Sequence, residues 1–210
     1  MKKDRKRKRA FQNKPTHSIF LGSSNNIATH HLTQFCLPVE NRSLPSGSPS
    51  VASRNNYIIQ AGTKIDRKGI YLIFLSFNNI LRDVHQLTSC QTEYVKRVKQ
   101  TLNILASYGL NLRKNLIIST PPLRFTQDTW PIQKQIIQDL VCMLDEKKIS
   151  HFNCLKHICA GDLQPHKYYS KKDQLLRKNI HLSKTILKII AETAASELKN
   201  FLKEVWNKVV

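Results

Sequence analysis

The chain has 210 residues, enough for one domain with a hydrophobic core, and 40% of them are hydrophobic, which excludes a wholly disordered protein. Thirty-four Lys and Arg stand against 14 Asp and Glu, a formal net charge of +20. Residues 2–9 hold seven Lys or Arg and one Asp, so +14 of the charge belongs to the rest of the chain. Such a charge predicts a polyanionic partner, most often nucleic acid and less often an anionic membrane surface.

The basic N-terminus predicts a tail over residues 1–15, followed by a single domain over residues 16–210. Residues 2–9 are typical of a nuclear-import signal, of an arm that binds polyphosphate, and of a solvated disordered tail; these interpretations are compatible. No apolar stretch follows them, so the N-terminus is not read as a secretion signal. No apolar run reaches transmembrane length, so no membrane span is predicted.

The five cysteines are odd in number and form no Cys-x-x-Cys pair, which favours reduced thiols in an intracellular protein. They are Cys36, Cys90, Cys142, Cys154 and Cys159. The segment that holds His151, Cys154, His157 and Cys159 has two interpretations: a zinc site, or side chains that alternate across a strand. The spacing matches no common zinc module and favours the strand, so neither a metal nor another cofactor is predicted.

Short apolar runs, typical of strands, alternate along the chain with segments whose apolar residues recur at helical spacing. Strands are predicted at residues 18–21, 36–40, 69–75, 116–118 and 152–160. A short helix is predicted before residue 35, and longer helices at residues 91–108, 131–146 and from about residue 182 onward. The core-facing helical residues are predicted to be Val95, Val98, Leu102, Leu105, Ala106, Ile136, Ile137, Leu140, Val141, Leu144, Ile186, Ile189, Ile190, Ala194, Leu198, Phe201 and Val205. This alternation predicts a three-layer α/β/α domain with a central parallel sheet of about five strands.

Polar turns follow three of these strands, at residues 22–26, 76–79 and 119–122. Because the carboxyl ends of parallel strands meet at one edge of a sheet, the three turns are expected to gather there. That edge is where open α/β sheets keep their binding sites.

Four segments, in this order, resemble the SGNH (GDSL-type) hydrolases over residues 18–200. They are Leu-Gly-Ser-Ser-Asn at 21–25, Phe-Leu-Ser-Phe-Asn-Asn-Ile at 74–80, Ile-Ile-Ser-Thr-Pro-Pro-Leu at 117–123, and Lys-Asn-Ile-His-Leu-Ser at 178–183. The resemblance implies that Ser24 matches the catalytic nucleophile, Asn78 the oxyanion-hole Asn and His181 the general base. It implies Gly47 as the oxyanion-hole glycine, with Gly62 as second choice.

The sequence departs from the pattern of that family at four positions. Ser23, Ser76 and Asn79 stand where the family has Asp, Gly and Asp, and Lys178 stands where the family has the Asp that orients the base. In serine proteases, loss of this carboxylate costs a factor of about 10⁴ in rate, and a Lys in its place disfavours the protonated imidazole. Asp162 and Asp173 are the carboxylates left to substitute for it. These departures favour a remnant of an active site over a working one.

A degenerate SGNH-like site combined with strong positive charge most resembles the OSK domain of Oskar, the insect germ-plasm protein. That resemblance implies a non-catalytic domain that binds RNA, with single-stranded mRNA and other ribonucleoprotein components as partners. It also implies location in cytoplasmic ribonucleoprotein granules, to which residues 2–9 could add nuclear targeting.

Two basic clusters are the predicted RNA-binding surfaces, because Lys and Arg neutralise phosphates. The first consists of Arg54, Lys64, Arg67 and Lys68. The second consists of Lys167, Lys171, Lys172, Arg177, Lys178 and Lys184, interleaved with Tyr168 and Tyr169. The two tyrosines either stack on unpaired bases or pack in the ordinary way. For Lys96, Arg97, Lys99, Arg113, Lys114 and Arg124, a solvated surface without ligand is the favoured interpretation.

Two other functions are compatible with the sequence. One is an active esterase or acyl hydrolase that uses Ser24 and His181. The other is a structural assembly module whose basic tail handles localisation.

Overall fold

A computed structural model describes residues 15–22, 35–42, 65–77, 87–123, 130–153 and 182–207; for residues 87–92 it describes the backbone alone. Five strands lie within these ranges: β1 (His17–Leu21), β2 (Val39–Asn41), β3 (Gly69–Phe74), β4 (Leu116–Ser119) and β5 (Ser150–Phe152). The same ranges contain four helices: α1 (Leu87–Ser107), α2 (Leu112–Asn115), α3 (Trp130–Glu146) and α4 (Lys184–Trp206).

All five strands pair in parallel, in the order β2-β1-β3-β4-β5. His17 is aligned with Gly69, Tyr71 with Leu116, and Ile117 with Ser150, so β1, β3, β4 and β5 begin near one edge of the sheet. The five-stranded parallel sheet between helices confirms the predicted fold class. Pro38 directly precedes the short edge strand β2, where a residue without an N–H does least harm to the ladder.

Alternate side chains of the strands pack into two separate hydrophobic cores, one on each face of the sheet. Ile19, Tyr71, Ile73 and Ile118 face α1 and α3 in the first core. On the opposite side of the sheet, Phe20, Ile70, Leu72 and Ile117 pack against α4 in the second core. The near-continuous apolar sequence of β3 is therefore explained by helices on both faces of the sheet.

The three longer helices lie close to their predicted positions, with two corrections in detail, and the short helix predicted before residue 35 lies outside the described residues. Ala106 is exposed, not buried, because the inward face of α1 runs through Tyr94, Val98, Thr101, Leu102 and Leu105. The short helix α2, directly before β4, was not predicted. The strand predicted at residues 152–160 begins earlier, at Ser150, and its later residues lie outside the described part of the chain.

Side-chain caps mark the start of α4 and of α2. Ser183 Oγ accepts a hydrogen bond from the N–H of Ile186 and begins α4, while Asn207 ends that helix in a left-handed conformation. Asn111 Oδ1 accepts hydrogen bonds from the N–H groups of Arg113 and Lys114 and begins α2. Among the described helices, none is long and apolar enough to cross a bilayer.

Candidate functional site

The carboxyl edge of the sheet is where the sequence predicts a hydrolase-like site. β1 ends at Leu21 and β3 at Phe74, shortly before the positions of Ser24 and Asn78 in the chain. Leu182, next to His181 in sequence, is buried in the second core. Ser24, Gly47, Gly62, Asn78, His181 and Lys178 themselves lie outside the described residues, so their mutual geometry stays a prediction.

Hydrogen bonds connect the ends of β4 and β5 in the described part of this edge. Thr120 is fully buried, and its hydroxyl donates to Asn153 Oδ1 at 3.2 Å. The N–H of Thr120 also donates to the carbonyl of Phe152, which links the ends of β4 and β5. These contacts join neighbouring strand ends, as expected for turns that gather on one edge.

Ser76 occupies the position where the SGNH pattern has glycine. It is buried, and its carbonyl oxygen accepts a hydrogen bond from the Tyr94 hydroxyl at 3.1 Å. Its own Oγ is buried, and no group among the described residues hydrogen-bonds to it. The Ser side chain therefore brings to the turn after β3 a buried hydroxyl that no described residue satisfies, at a cost that a glycine would avoid.

Several solved structures are similar to this chain over most of its length. A lipase/acylhydrolase from Enterococcus faecalis matches with a TM-score of 0.61 and 12% sequence identity, covering 88% of this chain and 96% of that one. A member of the lipolytic G-D-S-L family from Veillonella parvula matches with a TM-score of 0.58 and 13% identity, covering 86% and 96%. A carbohydrate acetylesterase from Sinorhizobium meliloti matches with a TM-score of 0.57 and 12% identity, covering 88% and 99%.

The fold is that of the SGNH hydrolases. At 12 to 13% identity, these matches establish the architecture and carry no function to this chain. No protein-family model matches the sequence. No curated protein sequence matches it either.

The predicted RNA-binding residues that are described fall at opposite ends of the domain. Arg67 and Lys68 are exposed in the turn before β3, at the amino edge of the sheet. Lys184 is exposed at the first turn of α4, whose other end, at Trp206, contacts Lys114 beside the amino edge. A helix of this length spans about 34 Å, so Lys184 belongs to a different surface. The remaining predicted residues, Arg54, Lys64, Lys167, Tyr168, Tyr169, Lys171, Lys172, Arg177 and Lys178, lie outside the described part.

Four exposed basic side chains stand together at the amino edge. Arg67 and Lys68 lie just before β3, and Arg113 and Lys114 lie just before β4, which is the neighbour of β3 in the sheet. Sequence reasoning assigned Arg113 and Lys114 to a solvated surface because a few basic side chains on a helix usually form only its solvated face. Lys68 and Arg113 are 45 positions apart in the chain. The pairing of β3 with β4 is what brings Arg67 and Lys68 next to Arg113 and Lys114. A correct prediction of the strand order would have found this cluster.

The turn that holds Arg67 is fixed by several hydrogen bonds. The Tyr71 hydroxyl accepts from the N–H of Asp66 at 2.8 Å, and burial raises the pKa of that tyrosine. Asp66 Oδ1 accepts from the N–H of Lys68, and its Oδ2 lies 3.3 Å from His17 Nε2. The carboxylate of Asp66 is thus engaged by its own turn and by β1, and does not pair with the side chains of Arg67 or Lys68.

An acidic cavity of about 330 Å³ lies between the start of β5 and the last turns of α4. Asp145, Glu197 and Glu204 line it together with Lys148 and His151. His151 Nε2 lies 3.8 Å from Asp145 Oδ1. Within the described residues, no group of three or more His, Cys, Asp or Glu side chains has the arrangement of a metal site. Three carboxylates repel a polyanion, so this cavity bounds the basic region on the β5 side.

The predicted zinc alternative involves His151 together with Cys154, His157 and Cys159. Only His151 is described, and its Nδ1 lies 3.1 Å from the carbonyl oxygen of Ile149. The other three residues lie outside the described part, so the choice between strand and zinc site stays a prediction. The thiols of Cys36 and Cys142 are free and exposed.

Proposed function

We propose that this chain is a non-catalytic RNA-binding domain built on the SGNH hydrolase fold. The observation that supports this most is its charge: +20 in total, of which +14 lies outside residues 2–9. Lysine and arginine bound to phosphates release counterions, which gives a large, salt-dependent affinity without any base-specific contact. A hydrolase that acts on small neutral esters has no need of such a charge.

The loss of catalysis is inferred from the residues that replace the family's catalytic pattern. Lys178 stands three positions before His181, where the SGNH hydrolases have an Asp. Without that carboxylate the imidazole loses the group that in this family holds the tautomer accepting the serine proton, and a neighbouring cation opposes its protonation. Ser76, which replaces the glycine of the family pattern two positions before Asn78, carries a buried hydroxyl that no described residue satisfies.

The finer identity proposed is an OSK-like domain, as in the germ-plasm protein Oskar. Its partner would be single-stranded RNA such as mRNA, in company with other ribonucleoprotein components. Its proposed location is the cytoplasm, in ribonucleoprotein granules, with nuclear targeting by residues 2–9 as an addition.

The binding experiment measures fluorescence anisotropy of a labelled 20-nucleotide poly-U RNA with the full chain. The variant Lys171→Glu/Lys172→Glu/Arg177→Glu tests the second predicted cluster. Its matched control is Lys99→Glu/Lys134→Glu/Lys188→Glu, which makes the same charge change on exposed helical positions. We expect the first variant to bind at least about tenfold more weakly than the control. Equal affinity of the two variants would remove this cluster from the interface, and no binding by the unmodified chain would refute the proposed function.

An active acyl hydrolase is the second candidate, favoured by the names of the structures that share the fold. A fluorophosphonate probe distinguishes the two, because it labels an activated serine. We expect no labelling of the folded chain, and we expect Lys178→Asp to restore part of the missing machinery and raise labelling. Labelling of the unmodified chain that disappears in Ser24→Ala would establish the hydrolase instead.

A further inference from the structure

Five exposed residues form a surface at the amino ends of β3 and β4. They are Arg67, Lys68, Tyr108, Arg113 and Lys114, and together they are called the amino-edge surface. This surface lies across the sheet from the edge where SGNH hydrolases carry their active site.

Three chain segments are tied together to form this surface. The side-chain amide of Asn115 donates hydrogen bonds to the carbonyl oxygens of Arg67, at 3.2 Å, and Gly69, at 3.1 Å. Asn115 is itself the last residue of α2, which carries Arg113 and Lys114. The turn before β3 and the helix before β4 therefore hold a fixed position relative to each other.

The third segment is the turn that carries Tyr108. Gly109 has φ +91°, and a Cβ there would lie only 2.7 Å from Arg67 Nη2. The guanidinium of Arg67 thus lies directly against the backbone of the residue that follows Tyr108. With 46% of its surface exposed, Tyr108 is the one large hydrophobic side chain among the described residues that is exposed.

Within the described residues, the four cations form no ion pairs. None of Arg67, Lys68, Arg113 and Lys114 makes an ion pair with a carboxylate of the described residues. The side chain of Arg113 is also held in place, since its Nε donates to the carbonyl of Lys147 at 3.2 Å and leaves the Nη groups for a ligand. Some basic side chains elsewhere in the described part do have acidic partners, such as Arg97 with Glu93 at 2.7 Å.

An exposed aromatic ring among cations that form no ion pair with a described residue has the chemistry of a site for single-stranded nucleic acid. The cations neutralise successive phosphates, and the ring offers a face on which a splayed base stacks. A double helix would not present its bases to such a ring. An anionic membrane would attract the cations but offers nothing to stack on the tyrosine.

We infer that the amino-edge surface binds single-stranded RNA through Arg67, Lys68, Arg113 and Lys114, with Tyr108 stacking on a base. This inference rests on the proposed RNA-binding function and adds the place and the mode of binding.

The test uses the full chain with the seven Lys and Arg of residues 2–9 changed to Ser, so that the tail does not mask the folded surface. In this background, the surface variant is Arg67→Gln/Lys68→Gln/Arg113→Gln/Lys114→Gln. The control is Lys96→Gln/Lys99→Gln/Lys134→Gln/Lys188→Gln, an equal loss of charge from exposed positions on α1, α3 and α4. Urea midpoints and circular dichroism check that both variants fold.

Poly-U affinity is measured at salt concentrations from about 50 to about 200 mM, a range over which counterion release changes the affinity strongly. We expect the surface variant to bind at least about tenfold more weakly than the control and to lose about 2 to 3 from the slope of log affinity against log salt. Equal weakening of the two variants would overturn the surface assignment while leaving RNA binding intact. Absence of binding by the parent chain would overturn both.

Tyr108 provides a readout that charge alone does not move. We expect Tyr108→Ala to weaken binding at least about fivefold with an unchanged salt slope, and Tyr108→Phe to bind as the parent does. Equal affinity of Tyr108→Ala and the parent would refute the stacking. Tighter binding to phosphatidylserine vesicles than to RNA, lost in the surface variant, would assign the surface to a membrane and overturn the inference.

Discussion

Asn115 Nδ2 lies 3.2 Å from the carbonyl oxygen of Arg67 and donates a hydrogen bond to it. The two residues are 48 positions apart in the chain and meet because β3 and β4 are neighbours in the sheet. Asn115 is only 5% exposed; its bond to the Gly69 carbonyl is buried, and its bond to the Arg67 carbonyl is partly buried. A buried amide thus links the connections that carry the four cations of the amino-edge surface.

Replacing Asn115 with Ala should destabilise the fold markedly. The change removes two hydrogen bonds and takes the Asn115 donor from the buried carbonyl of Gly69 and the partly buried carbonyl of Arg67, a loss of about 1–3 kcal/mol in the free energy of unfolding. Urea denaturation measures it. Asn103→Ala, at an exposed position of α1, is the control and should change stability by no more than about 0.5 kcal/mol. Equal stability of the two variants would contradict the structural role of Asn115.

Two buried serines should respond in opposite ways to the same substitution. Ser18 is fully buried and its Oγ donates to the carbonyl of Pro38 at 3.3 Å, so Ser18→Ala should cost about 0.5–1.5 kcal/mol. Ser76 Oγ has no hydrogen-bond partner among the described residues, so Ser76→Ala should be neutral or stabilising. Thermal or urea unfolding of both variants tests the pair. A loss for Ser76→Ala as large as that for Ser18→Ala would show that this hydroxyl is satisfied after all.

The ion pair of Glu40 and Arg42 should give a small stability term that depends on pH. The two distances, 2.6 Å from Nε to Oε1 and 2.7 Å from Nη2 to Oε2, describe a bidentate pair. The hydrogen bond from Arg42 is the main cause that lowers the pKa of Glu40. A lowered folded-state pKa means stabilisation that is complete above the ordinary glutamate pKa of about 4.3 and is lost as pH falls through the folded value.

Glu40→Gln should therefore reduce the free energy of unfolding by less than about 1 kcal/mol at neutral pH, since 49% of the Glu40 side chain is exposed. The difference from the parent should shrink as the pH falls below about 4. Unfolding curves at several pH values measure this. Glu146→Gln is the control, because it removes the same charge at an exposed position where no ion pair with a described residue is lost. A Glu40→Gln difference that grows at acid pH would contradict the sign of the argument.

The fold could be predicted from the sequence because its strongest signals are local. The unbroken apolar run of β3 predicts a central strand, and the stripe of α4 predicts a helix with one buried face. The details that the sequence did not predict, or predicted wrongly, depend on the neighbouring groups. Thr101 is fully buried although it is polar, because its hydroxyl donates to the carbonyl of Arg97 within the same helix. Ala106 was assigned to the core by its apolar character, yet its side of α1 faces solvent.

The candidate site was predictable only in part. The catalytic-like residues could be named from short motifs, because each motif lies within a few residues of the chain. The amino-edge surface could not, because the turn at Arg67 and the helix at Arg113 are far apart in sequence. α2 has four residues, too few for helical periodicity to appear, and its role in presenting Arg113 and Lys114 follows from the bonds of Asn115.

The most direct test of RNA binding by the folded domain is the salt dependence of poly-U affinity for the full chain whose seven basic residues within 2–9 are changed to Ser. Affinity that persists and falls steeply with salt, with a slope of about −3 or more negative, would place at least four phosphate contacts on the folded part, as the account predicts. A chain that loses all RNA binding with its tail charges would contradict the account, because the remaining +14 would then serve no RNA interface.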